Sequence, residues 1–94
     1  MRQRNDDLEA DWAAFAQRFA TSLRTARHKA NLSQEDVAYR AGLTRYTYQK
    51  YEKGESKPGA PANPTIRTAL ALSQVLDVPL IDLLPQPVPD LRAR

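Results

Sequence analysis

The chain has 94 residues, one small domain's worth, and is 41% apolar but only 7% aromatic, so its core must be mostly alanine and leucine. It has no cysteine and a single histidine, His28, which excludes disulfides and thiol catalysis and leaves almost nothing to hold zinc. The net charge of +3 is unevenly placed: residues 18–57 carry nine cations against four acids, whereas residues 1–17 are net acidic and residues 58–94 balance, a pattern suited to a polyanionic partner.

From Asp6 to Ala30 the apolar residues Leu8, Trp12, Phe15, Phe19, Leu23, Ala26 and Ala30 recur at spacings of three and four, which predicts one long helix. Asn5 or Asp6 is placed to cap its start, and a break near Thr21 and Ser22 is the alternative. In "NLSQED", Ser33 and Asp36 form a capping-box arrangement that opens a second helix, Gln34 to Ala41, stopped by Gly42. Thr44 caps a third helix that runs to Glu52 or Lys53 and ends at Gly54. "GESKPGAPANP" reads as a long loop, and no strand is expected anywhere. A fourth helix is expected over Thr65–Leu76, with Pro64 just before it or at its first turn, and a short fifth within "VPLIDLL", started by Pro79. The tail "PQPVPDLRAR" is expected to be disordered or an arm. The fold class is therefore all-α.

No stretch approaches the roughly 18 apolar residues of a membrane span, and Met1 to Asp11 is polar and acidic, unlike a signal peptide. A cytoplasmic protein with no membrane partner is expected.

Two short helices joined by a glycine-containing three-residue turn define a helix-turn-helix. Counting from Gln34, the fourth, fifth, eighth, tenth, fifteenth and eighteenth positions should be buried, with glycine ninth. They are Val37, Ala38, Ala41, Leu43, Tyr48 and Tyr51, with Gly42 in the ninth place.

"LRTARHKANLSQEDVAYRAGLTRYTYQKYEKGE", with "PTIRTALALSQVLDVPLIDLLP" after the loop, resembles the Cro/C1-type (XRE) helix-turn-helix family over about residues 19–85. That family includes phage repressors, restriction–modification controller proteins and many bacterial regulators. The resemblance implies a five-helix, lambda-repressor-like DNA-binding domain over 19–85, preceded by a helical extension (1–18) and followed by a proline-rich tail (86–94). It also implies a homodimer on a palindromic double-stranded operator, with no cofactor and no enzyme activity. The chain departs from the family in having Tyr48 where Ile or Val is usual, about six extra residues (Pro58 to Asn63), and a longer first helix.

In such a domain the third helix enters the major groove with its N-terminal residues facing base edges. Opposite the Tyr48/Tyr51 stripe lie Arg45, Tyr46, Gln49, Lys50 and Lys53. Arg45 is suited to pair bidentately with a guanine, and Tyr46 to pack on a thymine methyl or reach a phosphate. By resemblance, Arg45, Tyr46, Gln49 and Lys50 are the base-reading set. Gln34, Thr44, Thr47, Lys53 and Lys57 are the expected phosphate contacts, Gln34 also bracing the third helix. Arg27 and Glu52 match an internal ion pair frequent in the family. Trp12 and Phe15 lie beyond the minimal domain and belong either to the core or to a dimer contact, whereas Phe19 is assigned to the core.

His28 lacks a catalytic partner, and the adjacent carboxylates of Glu35 and Asp36 point in different directions on a helix. A transcriptional regulator is the leading expectation. An antitoxin with a toxin partner, a restriction–modification controller, and a protein-interaction module without specific DNA binding are the alternatives.

Overall fold

The computed structural model describes residues 4–93, with side chains from Asp7 onward; residues 1–3 and 94, the outer ends of the expected extension and tail, lie outside the described residues. The order is α1 (Arg4–Lys29), α2 (Gln34–Arg40), α3 (Arg45–Lys53), β1 (Glu55–Lys57), β2 (Ala60–Pro61), α4 (Ile66–Leu76) and α5 (Leu80–Leu83). α1 is one unbroken helix of 26 residues, about 39 Å long. Positions 5 and 6 already lie inside it, so neither caps its start. Thr21 and Ser22 do not break it, because the Thr21 hydroxyl turns back to the Gln17 carbonyl (3.3 Å) and the Ser22 hydroxyl donates to the Leu83 carbonyl (2.7 Å).

The helix-turn-helix forms from local signals. The Asp36 N–H donates to Ser33 Oγ (3.0 Å) and the Ser33 N–H to Asp36 Oδ2 (3.1 Å), closing the capping box. These bonds, led by the one from the Ser33 backbone, hold the Asp36 carboxyl below the usual aspartate range. α2 ends at Arg40 with Ala41 as its C-cap, and Gly42 turns the chain at φ 73°, so that the Leu43 N–H reaches the Ala38 carbonyl at 2.8 Å. Thr44 Oγ1 accepts from the Thr47 N–H at 3.0 Å and caps α3, and Gly54 ends it at φ 82°.

Gly54 is constrained by its positive φ, and a Cβ there would lie 2.6 Å from Gln17 Nε2, pushing aside the end of that flexible side chain. The same Gln17 Nε2 donates to the Lys53 carbonyl at 3.1 Å, and Arg24 donates to the Glu52 carbonyl. Two side chains of α1 thus take up the carbonyls that end α3, which would otherwise lack partners.

The segment expected to be a plain loop contains an antiparallel hairpin, β1–β2, pairing Glu55 with Pro61 and Lys57 with Ala60. Pro58 and Gly59 make its turn, and the Ala62 N–H donates to the Gly54 carbonyl (2.9 Å), tying its base to the end of α3. α4 is capped by Thr65, whose Oγ1 accepts from the Thr68 N–H at 3.1 Å, and stops at Asp77 in the left-handed region. Pro79 opens α5. The tail is held near its start, where Arg18 Nη2 donates to the Pro87 carbonyl at 3.1 Å.

Phe19, Leu23, Val37, Ala38, Tyr48, Leu72, Leu76 and Leu83 form the core, with Ala41, Leu43 and Tyr51 half-buried against it. Phe15, weighed as a dimer contact, is instead buried within the chain at 6% exposure. It lines an apolar groove with Phe19, Ala62, Pro64, Leu80 and Leu84, because the hairpin and α5 both come up against α1 there. The Trp12 ring packs on it at 5.6 Å and the Arg18 guanidinium lies 5.6 Å above it. Trp12 is half-buried at that groove. Phe15→Ala should therefore cost about 3–5 kcal/mol of folding stability in urea titrations; a loss under about 1 kcal/mol would show that the first half of α1 is only an appendage.

Candidate nucleic-acid interface

The site is organised by a charge placed inside. Glu52, near the end of α3, is 3% exposed. Arg27 of α1 meets it with two N–H groups, Nε to Oε2 at 2.6 Å and Nη2 to Oε1 at 3.1 Å. Gln34 Nε2, at the start of α2, donates to Oε1 at 3.0 Å, and the Tyr48 hydroxyl, one turn earlier on α3, donates to Oε2. Arg27 Nη1 also donates to the Leu32 carbonyl (3.0 Å), fixing the α1–α2 connection to the same cluster.

Burial works against the charged form of Glu52, but the hydrogen bonds from Arg27, Tyr48 and Gln34 outweigh it and hold its carboxyl below the ordinary value of 4.5. The Arg27 guanidinium is raised by its bond to Glu52, and the buried Tyr48 phenol is pushed well above its usual range by burial and by the carboxylate. All three shifts favour one arrangement: an ionised carboxylate, a guanidinium and a neutral phenol.

With Tyr48, Tyr51 and Glu52 turned inward, the opposite face of α3 is left to solvent. Arg45 is exposed and Tyr46 is 69% exposed. Lys50 is half-buried, its Nζ 4.4 Å from the centre of the Tyr46 ring, so these two side chains form one stacked unit a helical turn apart. Gln49 is also half-buried, because its Nε2 donates to Gln34 Oε1 at 3.2 Å. It continues the chain of bonds from Glu52 out to the surface rather than standing free.

The expected phosphate contacts divide into two groups. Lys53 and Lys57 are exposed. Gln34 keeps one N–H beyond the one given to Glu52. Thr44 and Thr47 are engaged with each other: besides the cap, the Thr44 hydroxyl donates to Thr47 Oγ1 at 3.0 Å. At this end of α3, the backbone N–H groups of the first turn are the readier donors.

Three contributors escape a sequence reading. The spacing places the Tyr48 ring inside, but that its hydroxyl meets the carboxylate four residues on depends on Glu52 being turned inward by tertiary packing. Gln17 and Arg24 reach the end of α3 across 36 and 28 residues, and nothing local marks them. Among the described residues no helix is long and apolar enough to cross a membrane, and no group of three or more His, Cys, Asp or Glu residues is placed to hold a metal ion.

Because the folded Glu52 carboxyl is depressed, its contribution to stability is complete above the unfolded glutamate pKa and is lost as pH falls through the folded value. Unfolding titrations should show stability dropping as pH is lowered below about 4.3. Glu52→Gln should lose about 3–5 kcal/mol at neutral pH, leaving Arg27 without its counter-charge, and should have a shallower acid limb. An unchanged acid limb would remove Glu52 from the account of acid sensitivity.

A helix-turn-helix family profile matches residues 23–83. A curated protein of Methanocella arvoryzae, provisionally named an HTH-type transcriptional regulatory protein, is 37% identical over 59 residues, which cover 63% of this chain and 16% of that protein. The chain thus spans a small part of that relative's length. No solved structure matches the chain. The profile match runs from the last two turns of α1 to the end of α5 and encloses the capped α2–α3 pair, and the chain belongs to the Cro/C1-type helix-turn-helix family.

Proposed function

We propose that the protein is a sequence-specific regulator that binds an operator in double-stranded DNA, with α3 in the major groove. The observation that carries this reading is the division of α3 into two faces. Tyr48 and Glu52 are locked inward, and Arg45, Tyr46, Gln49 and Lys50 form an outward row on a helix that the Glu52 cluster and the α1 side chains hold in place. A rigid element suits base reading, because bidentate pairing tolerates little angular error.

In this reading Arg45 takes a guanine edge, Lys50 with Tyr46 covers the next turn of the groove, and Gln49 reaches a base or hands its bond to Gln34. Gln34, Thr44, Thr47, Lys53 and Lys57 lie along the phosphates. The reading unit is residues 19–85, buttressed by the first half of α1. Binding is by a homodimer on a palindromic site, with Trp12 at the second chain. The regulator works in the cytoplasm on nucleoid DNA and needs no cofactor.

Arg45→Ala should weaken binding to a selected site by about 1–3 kcal/mol in anisotropy titrations and relax preference at one base pair. An equal loss on random duplex would reduce Arg45 to a phosphate contact. Trp12→Ala should raise the dimer dissociation constant in sedimentation experiments, and an unchanged profile would take Trp12 out of the interface.

A further inference from the structure

The groove beside Phe15 has a volume of about 180 Å³ and walls that are apolar throughout. Trp12, Phe15 and Phe19 line it from α1, Pro64 and Ile66 from around the start of α4, and Leu80 from α5. A cavity of roughly 150 Å³ takes up a benzene molecule, so this one has room for one or two aliphatic side chains. Ile66 stands at its edge, 78% exposed. One donor is set among these carbons. Among the described residues the Trp12 indole N–H meets no acceptor of its own chain, although the ring is half-buried on Phe15.

The proline-rich tail starts at the same rim. Leu84, just after α5, lines the groove, and the Arg18 guanidinium that lies over the Phe15 ring donates to the Pro87 carbonyl. Among the described residues none after Leu84 lines the groove, and Val88 and Leu91 stay 55% and 48% exposed. Pro87 and Pro89 have a fixed φ, and Val88, placed before a proline, is confined to extended backbone. A tail held at Pro87 and stiff through Pro89 does not turn back into the groove beside it. An apolar groove and an apolar arm thus sit at one rim, each uncovered, which marks a contact surface.

We infer that the groove receives the proline-rich tail of a second copy of this chain, so that two copies exchange tails about a two-fold axis. The inference rests on the proposed homodimer and names the segment that holds it together. The chemistry of the two parts matches. Proline-rich segments are extended, carry carbonyls without internal partners and dock in grooves lined by aromatic rings. Trp12 supplies both such a ring and the donor that a carbonyl needs. A segment already restricted at Pro87, Val88 and Pro89 loses little conformational freedom on docking. Residues 88–93 span about 19 Å when extended, more than the width of a helix, so the arm reaches a groove that faces it. Two-fold symmetry forms the same contact twice.

The test uses the full chain, which has no cysteine and one tryptophan, so introduced thiols and Trp12 fluorescence report without background. A tagged chain with Val88→Cys is mixed with an untagged chain with Ile66→Cys and treated with a short bis-maleimide. The tagged and untagged chains should be joined, whereas Glu35→Cys on α2 in place of Ile66→Cys should give no such product. Diluting the wild type until the dimer dissociates should shift Trp12 emission to the red as the groove is uncovered. Val88→Asp combined with Leu91→Asp, both outside the core, should move that transition to at least about tenfold higher concentration. The helical circular dichroism of the double variant should stay that of the wild type.

If the wild type sediments as a dimer but positions 88 and 66 are not joined between chains, the exchange is wrong while the homodimer reading stands. The same holds if the double variant leaves the transition where it was. A single chain carrying both Val88→Cys and Ile66→Cys that joins internally below the dimer range would place the tail in its own groove and overturn the exchange equally. A wild type that sediments as a monomer at every concentration would remove the homodimer itself, and the exchange with it.

Discussion

Glu52 carries a carboxylate into the protein interior, and the arrangement of the three helices around it follows from satisfying that charge. A buried ionised carboxylate is costly unless donors surround it. Here the donors come from α1 (Arg27), from the start of α2 (Gln34) and from α3 itself (Tyr48). Apolar contacts are non-directional and tolerate volume-conserving exchange of side chains at small penalties, whereas two N–H groups of a planar guanidinium on one carboxylate add geometric specificity. The cluster thus acts chiefly as a constraint on geometry. It sets which face of α3 is inside, and the composition of the outside face follows.

Consequences run outward from that point in both directions along α3. Toward the helix start, Gln34 passes the constraint to Gln49 through a 3.2 Å hydrogen bond, so a side chain of the outward row is positioned by the buried charge. Toward the helix end, Arg24 and Gln17 hold the carbonyls of Glu52 and Lys53, and Gly54 is the residue that lets Gln17 come close enough. The long first helix therefore serves α3 along much of its length. Arg27 orients the helix, Arg24 and Gln17 finish it, and Phe15 closes the apolar contact with the hairpin and α5.

Much of this was legible in the sequence where the controlling interaction is local. Ser33 with Asp36, Thr44, Gly42 and Gly54 announce where helices start and stop, since a cap needs only the residues within one turn of it. The buried positions of the helix-turn-helix were legible for a similar reason, because their spacing is dictated by a fixed short turn. The hairpin was not, because strands of three and two residues are too short to show alternation. Its one signal was the Pro58–Gly59 pair, a turn dipeptide that says where the chain reverses but not whether the arms pair. Phe15 shows a different limit. Its helical phase is that of Phe19, yet whether it is covered depends on segments about 50 and 70 residues away, beyond the reach of any periodicity. Of the site, the outward row on α3 could be drawn from helical phase alone, while Gln17, Arg24 and the Tyr48 hydroxyl become visible only once the helices are placed.

The proposed reading of duplex DNA by the outer face of α3 depends on the buried polar cluster that holds the helix in place. The most direct measurement is selection of bound sequences from a randomised double-stranded pool by the wild-type chain, carried to sequencing. Enrichment of a short motif present as two inverted copies, with centres about one helical turn or a multiple of it apart, is expected. A pool that emerges bound but without any enriched motif would mean that α3 rests on phosphates alone, and the claim that its outer face reads bases would be wrong.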